Sequence, residues 1–186
     1  MPFTLAAVTL AVVVSLARGG RFSNLAERPL AGSWLLFAGV ALQLALDVAA
    51  GRGLLPAAGW SGWALLVLSQ LLVVTFLVTN RALPGVWIVA AGLLLNVVVI
   101  AANRAMPVDP AAIAALGIGD VEVPAGKHTL LSEETRLPWL ADVIPVPWLR
   151  SILSVGDLVI AVGLLPLTHA LLRPEPSERG ATDGGP

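Results

Sequence analysis

The chain has 186 residues, 57% hydrophobic and 12% charged, against about 45–50% and about 25% in soluble domains. Its apolar residues fall in long blocks, which excludes a soluble enzyme and a disordered scaffold, and a net charge of −1 offers no basic field for nucleic acid. The absence of Cys removes disulfides, thiolate nucleophiles and Cys-based metal sites; with no His-rich spacing either, no metal and no cofactor are expected.

A hydrocarbon core of about 30 Å asks for roughly 20 apolar helical residues. Five segments approach that length, and the fold class they predict is all-α, a polytopic membrane bundle of about five transmembrane helices in a single domain over residues 1–172. The first span covers residues 2–17. No charge precedes it, while Arg18 and Arg21 follow it, a pattern opposite to a cleaved secretory signal and one that holds its far end in the cytosol.

The second span, residues 33–50, carries Gln43 and Asp47 four residues apart on one face. The third, residues 58–78, carries Gln70 in its middle, expected to make an interhelical hydrogen bond outside any site. The fourth, residues 84–102, holds Asn96 and, at its end, Asn103. Pro29, Pro56 and Pro84 stand ahead of these spans and Pro174 follows the last, the boundary positions proline favours.

Residues 103–151 form an external loop too long for a plain connector. A short Ala-rich helix is expected after Pro110, turns from Gly117 to Gly126, and Lys127-His128 as a solvated pair. Leu137 to Leu149, with Trp139, Trp148 and three prolines, cannot span and reads as an interfacial or re-entrant segment carrying Asp142 towards the bundle. The fifth span, residues 152–172, opens with Ser154-Val155-Gly156-Asp157, where Ser154 would cap the helix and Asp157 offset its dipole. His169 near its other end reads as interfacial. The tail, residues 173–186, lacks the apolar content to order itself.

This threading puts Arg18, Arg21, Arg28, Arg81, Arg173 and Arg179 inside and Arg52, Arg104, Lys127, Arg136 and Arg150 outside. Four of the external five are spread along the long loop, so the bias favours an outside N-terminus and an inside C-terminus. Gly32 and Gly39, Gly85 and Gly92, and Gly156 and Gly163 recur at seven-residue spacing, one helix face each, for close helix packing. The polar residues inside spans gather at one end: Gln43, Asp47, Asn96, Asn103, Ser154 and Asp157, with Asp142, Lys127 and His128 arriving from the loop. Such residues are costly in lipid and face the bundle interior.

Asn103-Arg104-Ala105-Met106-Pro107-Val108, Lys127-His128, Leu140-Ala141-Asp142-Val143-Ile144-Pro145 and Ser154-Val155-Gly156-Asp157 with Gly163 resemble, in that order, an uncharacterised family of bacterial multi-pass membrane proteins known as a domain of unknown function. The resemblance runs from about Gly19 to Leu164 and departs at Ala105, where that family favours Gly; it implies a bacterial inner-membrane protein and no activity. A shorter stretch, Asp142-Val143-Ile144 followed by Ser154 to Ile160 and Gly163, resembles the end of the lipoprotein signal peptidase family. That resemblance implies Asp142 and Asp157 as a catalytic pair, although Ser154 stands where that family has Asn and Gly156 where it has Ala.

Two functions are therefore expected, in this order. The first is a structural, interaction or solute- and proton-handling membrane component, with the bilayer and a membrane or extracytoplasmic protein as its partners. The second is an aspartate-dependent hydrolase or transferase acting on a lipid-linked or peptide substrate. The absence of paired halves disfavours an ordinary secondary transporter.

Overall fold

The computed structural model describes residues 2–54, 60–117 and 127–174. The boundary at Pro56, the turns expected between residues 118 and 126, and the tail beyond residue 174 lie outside the described residues. The apolar blocks form helices α1 (Pro2–Ala17), α3 (Ser33–Gly51), α4 (Trp60–Thr79), α5 (Val86–Asn103) and α7 (Val155–Leu172), with a six-residue α2 (Phe22–Glu27) in the first connection. Four of them, α3, α4, α5 and α7, are long and apolar enough to cross a membrane. Helix α1, with 16 residues, reaches about 24 Å at 1.5 Å per residue, short of the hydrocarbon core.

The helices pack in the order α3, α4, α5, α7, α1. Chain neighbours α3, α4, α5 and α7 run antiparallel, but α1 runs parallel to α7. Ser15 Oγ near the end of α1 lies 3.5 Å from His169 Nδ1 near the end of α7, and the Arg21 N–H donates to the Leu172 carbonyl at 2.7 Å. One apolar cluster, around Phe76, Leu77, Val86, Val89 and Leu167, fills the end where Arg28, Arg81 and Arg173 lie. A second, around Leu46, Leu66, Val99, Ile100 and Met106, sits under the loop.

Outward-facing residues show what surrounds the bundle. Trp34, Phe37, Val40, Leu44 and Val48 follow one another along a single exposed face of α3. In water that stripe would be a large apolar patch, and in lipid it is ordinary surface. Exposed Trp34 and Trp87 open α3 and α5 at the arginine end, while Trp60, Trp139 and Trp148 are exposed at the loop end. Two Trp girdles at opposite ends of apolar helices are the mark of the two bilayer boundaries.

The closest packing is between α5 and α7. A Cβ placed on Gly92 would lie 2.6 Å from the Gly156 carbonyl oxygen, and one on Gly156 would collide with the Asn96 side-chain oxygen. The bare backbones therefore touch, and Asn96 reaches the first turn of α7. Gly39 serves α3 and α4 in the same way, its absent Cβ leaving room for Val73 and the Ser69 carbonyl.

The loop is more structured than its sequence predicts. After α5 come β1 (Met106–Val108) and α6 (Pro110–Ala115), the expected Ala-rich helix, capped by Asp109, which accepts from the Ala111 N–H at 2.8 Å. Strand β2 (His128–Leu130) pairs parallel with β1, and β3 (Ile144–Val146) pairs antiparallel with β4 (Ser151–Leu153). None of these strands is expected from sequence, because three residues are too few to show a period of two.

The Leu137 to Leu149 stretch is not a re-entrant helix. Its prolines divide it into two single turns, Pro138–Leu140 and Pro147–Leu149, flanking β3. Each turn carries its Trp outward, Trp139 65% and Trp148 81% exposed, which is the interfacial form of the expectation.

Substitution of Gly92 by Val should overpack the α5 and α7 contact and destabilise the protein by about 1–3 kcal/mol. Gly51→Ala, where a Cβ meets nothing within 4 Å, should leave stability unchanged. Thermal unfolding of both variants in one detergent checks the contrast; equal melting temperatures would remove the close-contact role from Gly92.

Candidate functional site

The end of α7 nearest the loop must satisfy backbone N–H groups that have no helical partner. Ser154 Oγ accepts from the Asp157 N–H at 3.0 Å, and Asp157 Oδ2 accepts from the Ser154 N–H at 3.0 Å, a reciprocal capping box. Asn96 of α5 then joins both, its Nδ2 donating to Asp157 Oδ1 at 3.1 Å and its Oδ1 accepting from Ser154 Oγ at 2.9 Å. Ser154 is completely buried and Asn96 nearly so. Each polar atom of this trio is matched, as a low-dielectric interior requires.

The loop supplies the opposite wall. Asp142 is held by its backbone: its N–H donates to the Pro107 carbonyl at 3.0 Å, and its carbonyl accepts from the Asp109 N–H at 2.9 Å. The residue is only 9% exposed. Burial, and after it the negative charge of Asp157, push the Asp142 carboxyl up to about 8, with Lys127 opposing the shift. Asp142 therefore carries a proton at neutral pH.

Lys127 and His128 depart from the expected solvated pair. The Met106 N–H donates to the Lys127 carbonyl at 3.0 Å, and β2 lies against β1, which draws both side chains inward. Lys127 forms an ion pair with Asp47 of α3, so the loop is tied by charge to a helix that is distant in sequence. His128 is half-buried, and its shielded Nδ1 has no hydrogen-bond partner among the described residues. Burial and the adjacent Lys127 charge lower its pKa to about 4, against an upward pull from Asp47, so the imidazole is neutral at pH 7.

These groups face one cleft of about 180 Å³, lined by Gln43, Gln70, Asn96, Lys127, His128, Asp142 and Asp157, with Phe3 and Thr4 of α1 and β4 completing its wall. Asp47 borders it through Lys127, and its buried Oδ2 has no partner among the described residues. Gln43 does not pair with Asp47; its Oε1 accepts from Ser69 Oγ at 2.8 Å.

Two further placements differ from the sequence expectation. Asn103 is not in the cleft. It clamps the loop by donating to the Arg136 carbonyl at 2.8 Å and accepting from the Arg136 N–H at 2.8 Å. Gln70, set aside as purely structural, lines the cleft; adjacent Ser69 and Gln70 inside an apolar span are the signal that marks it. No group of three or more His, Cys, Asp or Glu suited to a metal occurs among the described residues.

The chemistry this arrangement offers is a proton held on Asp142, a second carboxylate pinned by hydrogen bonds, a neutral imidazole and side-chain amides. A proton-bearing carboxyl beside a second acid held by hydrogen bonds, around one space, is a usual arrangement for proton exchange with a bound molecule.

The shifted groups give two pH windows. An unfolded chain releases the Asp142 proton near 3.8 while the folded one keeps it to about 8, so its contribution to stability is lost as pH rises between those values. Asp142→Asn should therefore gain stability over the parent at pH 8 and little at pH 4. For His128, protonation unfolded near 6.5 and folded near 4 removes stability as pH falls through that interval, and His128→Gln should flatten that limb. Melting temperatures of parent and variants across pH 4 to 9 test both.

The comparisons with known proteins add no activity. An uncharacterised protein of Thermotoga maritima is 35% identical over 104 residues, which are 54% of this chain and 60% of that protein. The chain thus spans about 60% of the length of the relative it matches. No solved structure matches it. The model of a family of unknown function, DUF5317, matches residues 27–168, well over half of the chain, and the protein belongs to that family.

Proposed function

We propose that this integral membrane protein is a component of the bacterial cytoplasmic membrane that takes a small polar solute into the loop-end cleft and exchanges a proton with it through Asp142. The observation that carries this reading is the convergence of Asp142, Asp157, Lys127, His128 and three side-chain amides on one cleft at the end of an apolar bundle. Buried ionisable groups at membrane depth are expensive and mark solute or proton sites. The cleft faces outside and the C-terminus inside, because Arg18, Arg21, Arg28, Arg81 and Arg173 gather at the opposite end.

A second reading, a hydrolase or transferase acting on a peptide or lipid-linked substrate, is favoured by one feature: Asp142 and Asp157 line the same cleft. A protonated acid and a carboxylate can share the work of activating water and protonating a leaving group. It needs both acids for turnover, whereas solute binding with proton exchange needs Asp142 above all.

Two experiments test the proposal. A hydrophobic carbodiimide attacks protonated carboxyls, so at pH 7 it should modify Asp142, the adduct should fade above about pH 8, and Asp142→Asn should abolish it. Mass spectrometry of the peptide holding Asp142 reads the result, and no adduct on that residue at pH 7 would sink the proton-holding role. The chain has no Cys, so single-cysteine variants report sidedness without background. In intact cells an impermeant maleimide should label Thr129→Cys and spare Arg81→Cys; the reverse pattern would invert the orientation.

A further inference from the structure

The opposite end of the bundle holds a second cleft, of about 670 Å³, between the turn preceding α3 and the turn joining α4 to α5. Its polar side presents Arg28, Arg81 and Thr79, and its apolar side Leu30, Val78 and Leu83. The two turns are locked together by Asn80, which accepts from the Ala31 N–H at 3.0 Å and donates to the Ala31 carbonyl at 2.8 Å. The cleft is thus built by the fold and does not depend on loose surface side chains.

Arg28 is incompletely satisfied. One of its terminal nitrogens donates to the Arg173 carbonyl at 3.4 Å, but its Nε is buried without a hydrogen-bond partner among the described residues. A guanidinium offers a planar fork of donors that matches phosphate. Exposed Trp34 and Trp87 begin α3 and α5 at this same end, which sets it at headgroup depth.

We propose that this cleft binds the phosphate of an anionic phospholipid, with Arg28 and Arg81 on the headgroup and the first acyl carbons against Leu30, Val78 and Leu83. A cationic rim above an apolar floor at the bilayer boundary fits a lipid better than a free anion, which would leave the floor in contact with water. Basic pockets between membrane helices take anionic headgroups in this manner. The site lies at the far end from Asp142 and stands or falls independently of the solute reading.

Full-length protein in a neutral detergent, titrated with short-chain phosphatidylglycerol, phosphatidylcholine or inorganic phosphate in separate arms, tests it. Phosphatidylglycerol should bind and raise the melting temperature, phosphatidylcholine should bind at least tenfold more weakly, and phosphate alone should give no saturable shift. Combined Arg28→Gln and Arg81→Gln should weaken phosphatidylglycerol by about thirtyfold, whereas Arg52→Gln at the other end should not. If the double variant melts early without lipid, exposed Arg81→Gln alone should still show about a fivefold loss. Equal binding of the two lipids, an unchanged affinity in both variants, or saturation by phosphate alone would overturn the lipid site.

Discussion

The buried first turn of α7 sets the terms for the rest of the molecule. Helix starts expose N–H groups, and at membrane depth no bulk water is present to take them. Ser154, Asp157 and Asn96 close that gap with four mutually satisfied hydrogen bonds. Asn96 can reach only because Gly92 and Gly156 let the α5 and α7 backbones meet. Packing and polar satisfaction are therefore one constraint, and it fixes a carboxylate at the edge of a cleft. Asp157 is a structural cap by its hydrogen bonds and a cleft-lining acid by its position.

That fixed carboxylate explains the chemistry of its neighbours. Lys127 is paired with Asp47, and its opposing charge does not outweigh burial and Asp157 at the Asp142 carboxyl. Like charges facing one space repel, and burial adds to the penalty. The loop backbone nevertheless places Asp142 there, through the bonds from Asp142 to Pro107 and from Asp109 to Asp142. The carboxyl resolves the conflict by keeping its proton. His128 resolves the corresponding conflict with Lys127 by staying neutral.

Sequence revealed the parts of this that depend on composition and local order. Apolar length placed the spans, Ser154 and Asp157 announced their cap, and the depth of Gln43, Asn96 and Asp157 pointed to a shared end. The hidden parts depend on contacts far apart in the chain. Lys127 looks like loop charge until β2 pairs with β1 and carries it to Asp47, 80 residues away. Asn103 looks like a member of the polar cluster until Arg136 takes both of its side-chain groups. Gln70 looked isolated because its neighbours in space come from α3, α5 and the loop. Strands of three residues, two of them containing Pro107 and Pro145, carry no periodic signal at all.

The two ends of the bundle handle charge in opposite ways, and the difference follows from what each end meets. At the arginine end the cations are spread around a rim with Trp at the same level, where headgroups and water both solvate them. At the loop end, the 51 residues between α5 and α7 bring the chain back to the helices, and charges that would otherwise reach water are turned inward against Asp47 and Asp157. Only a loop with its own strands and turns can do this, because every backbone group it buries must find a partner. The short strands therefore supply the backbone bonds that allow a titratable cleft to exist at the end of an apolar bundle, and Trp139 and Trp148, turned outward from the same loop, hold that cover at the membrane boundary.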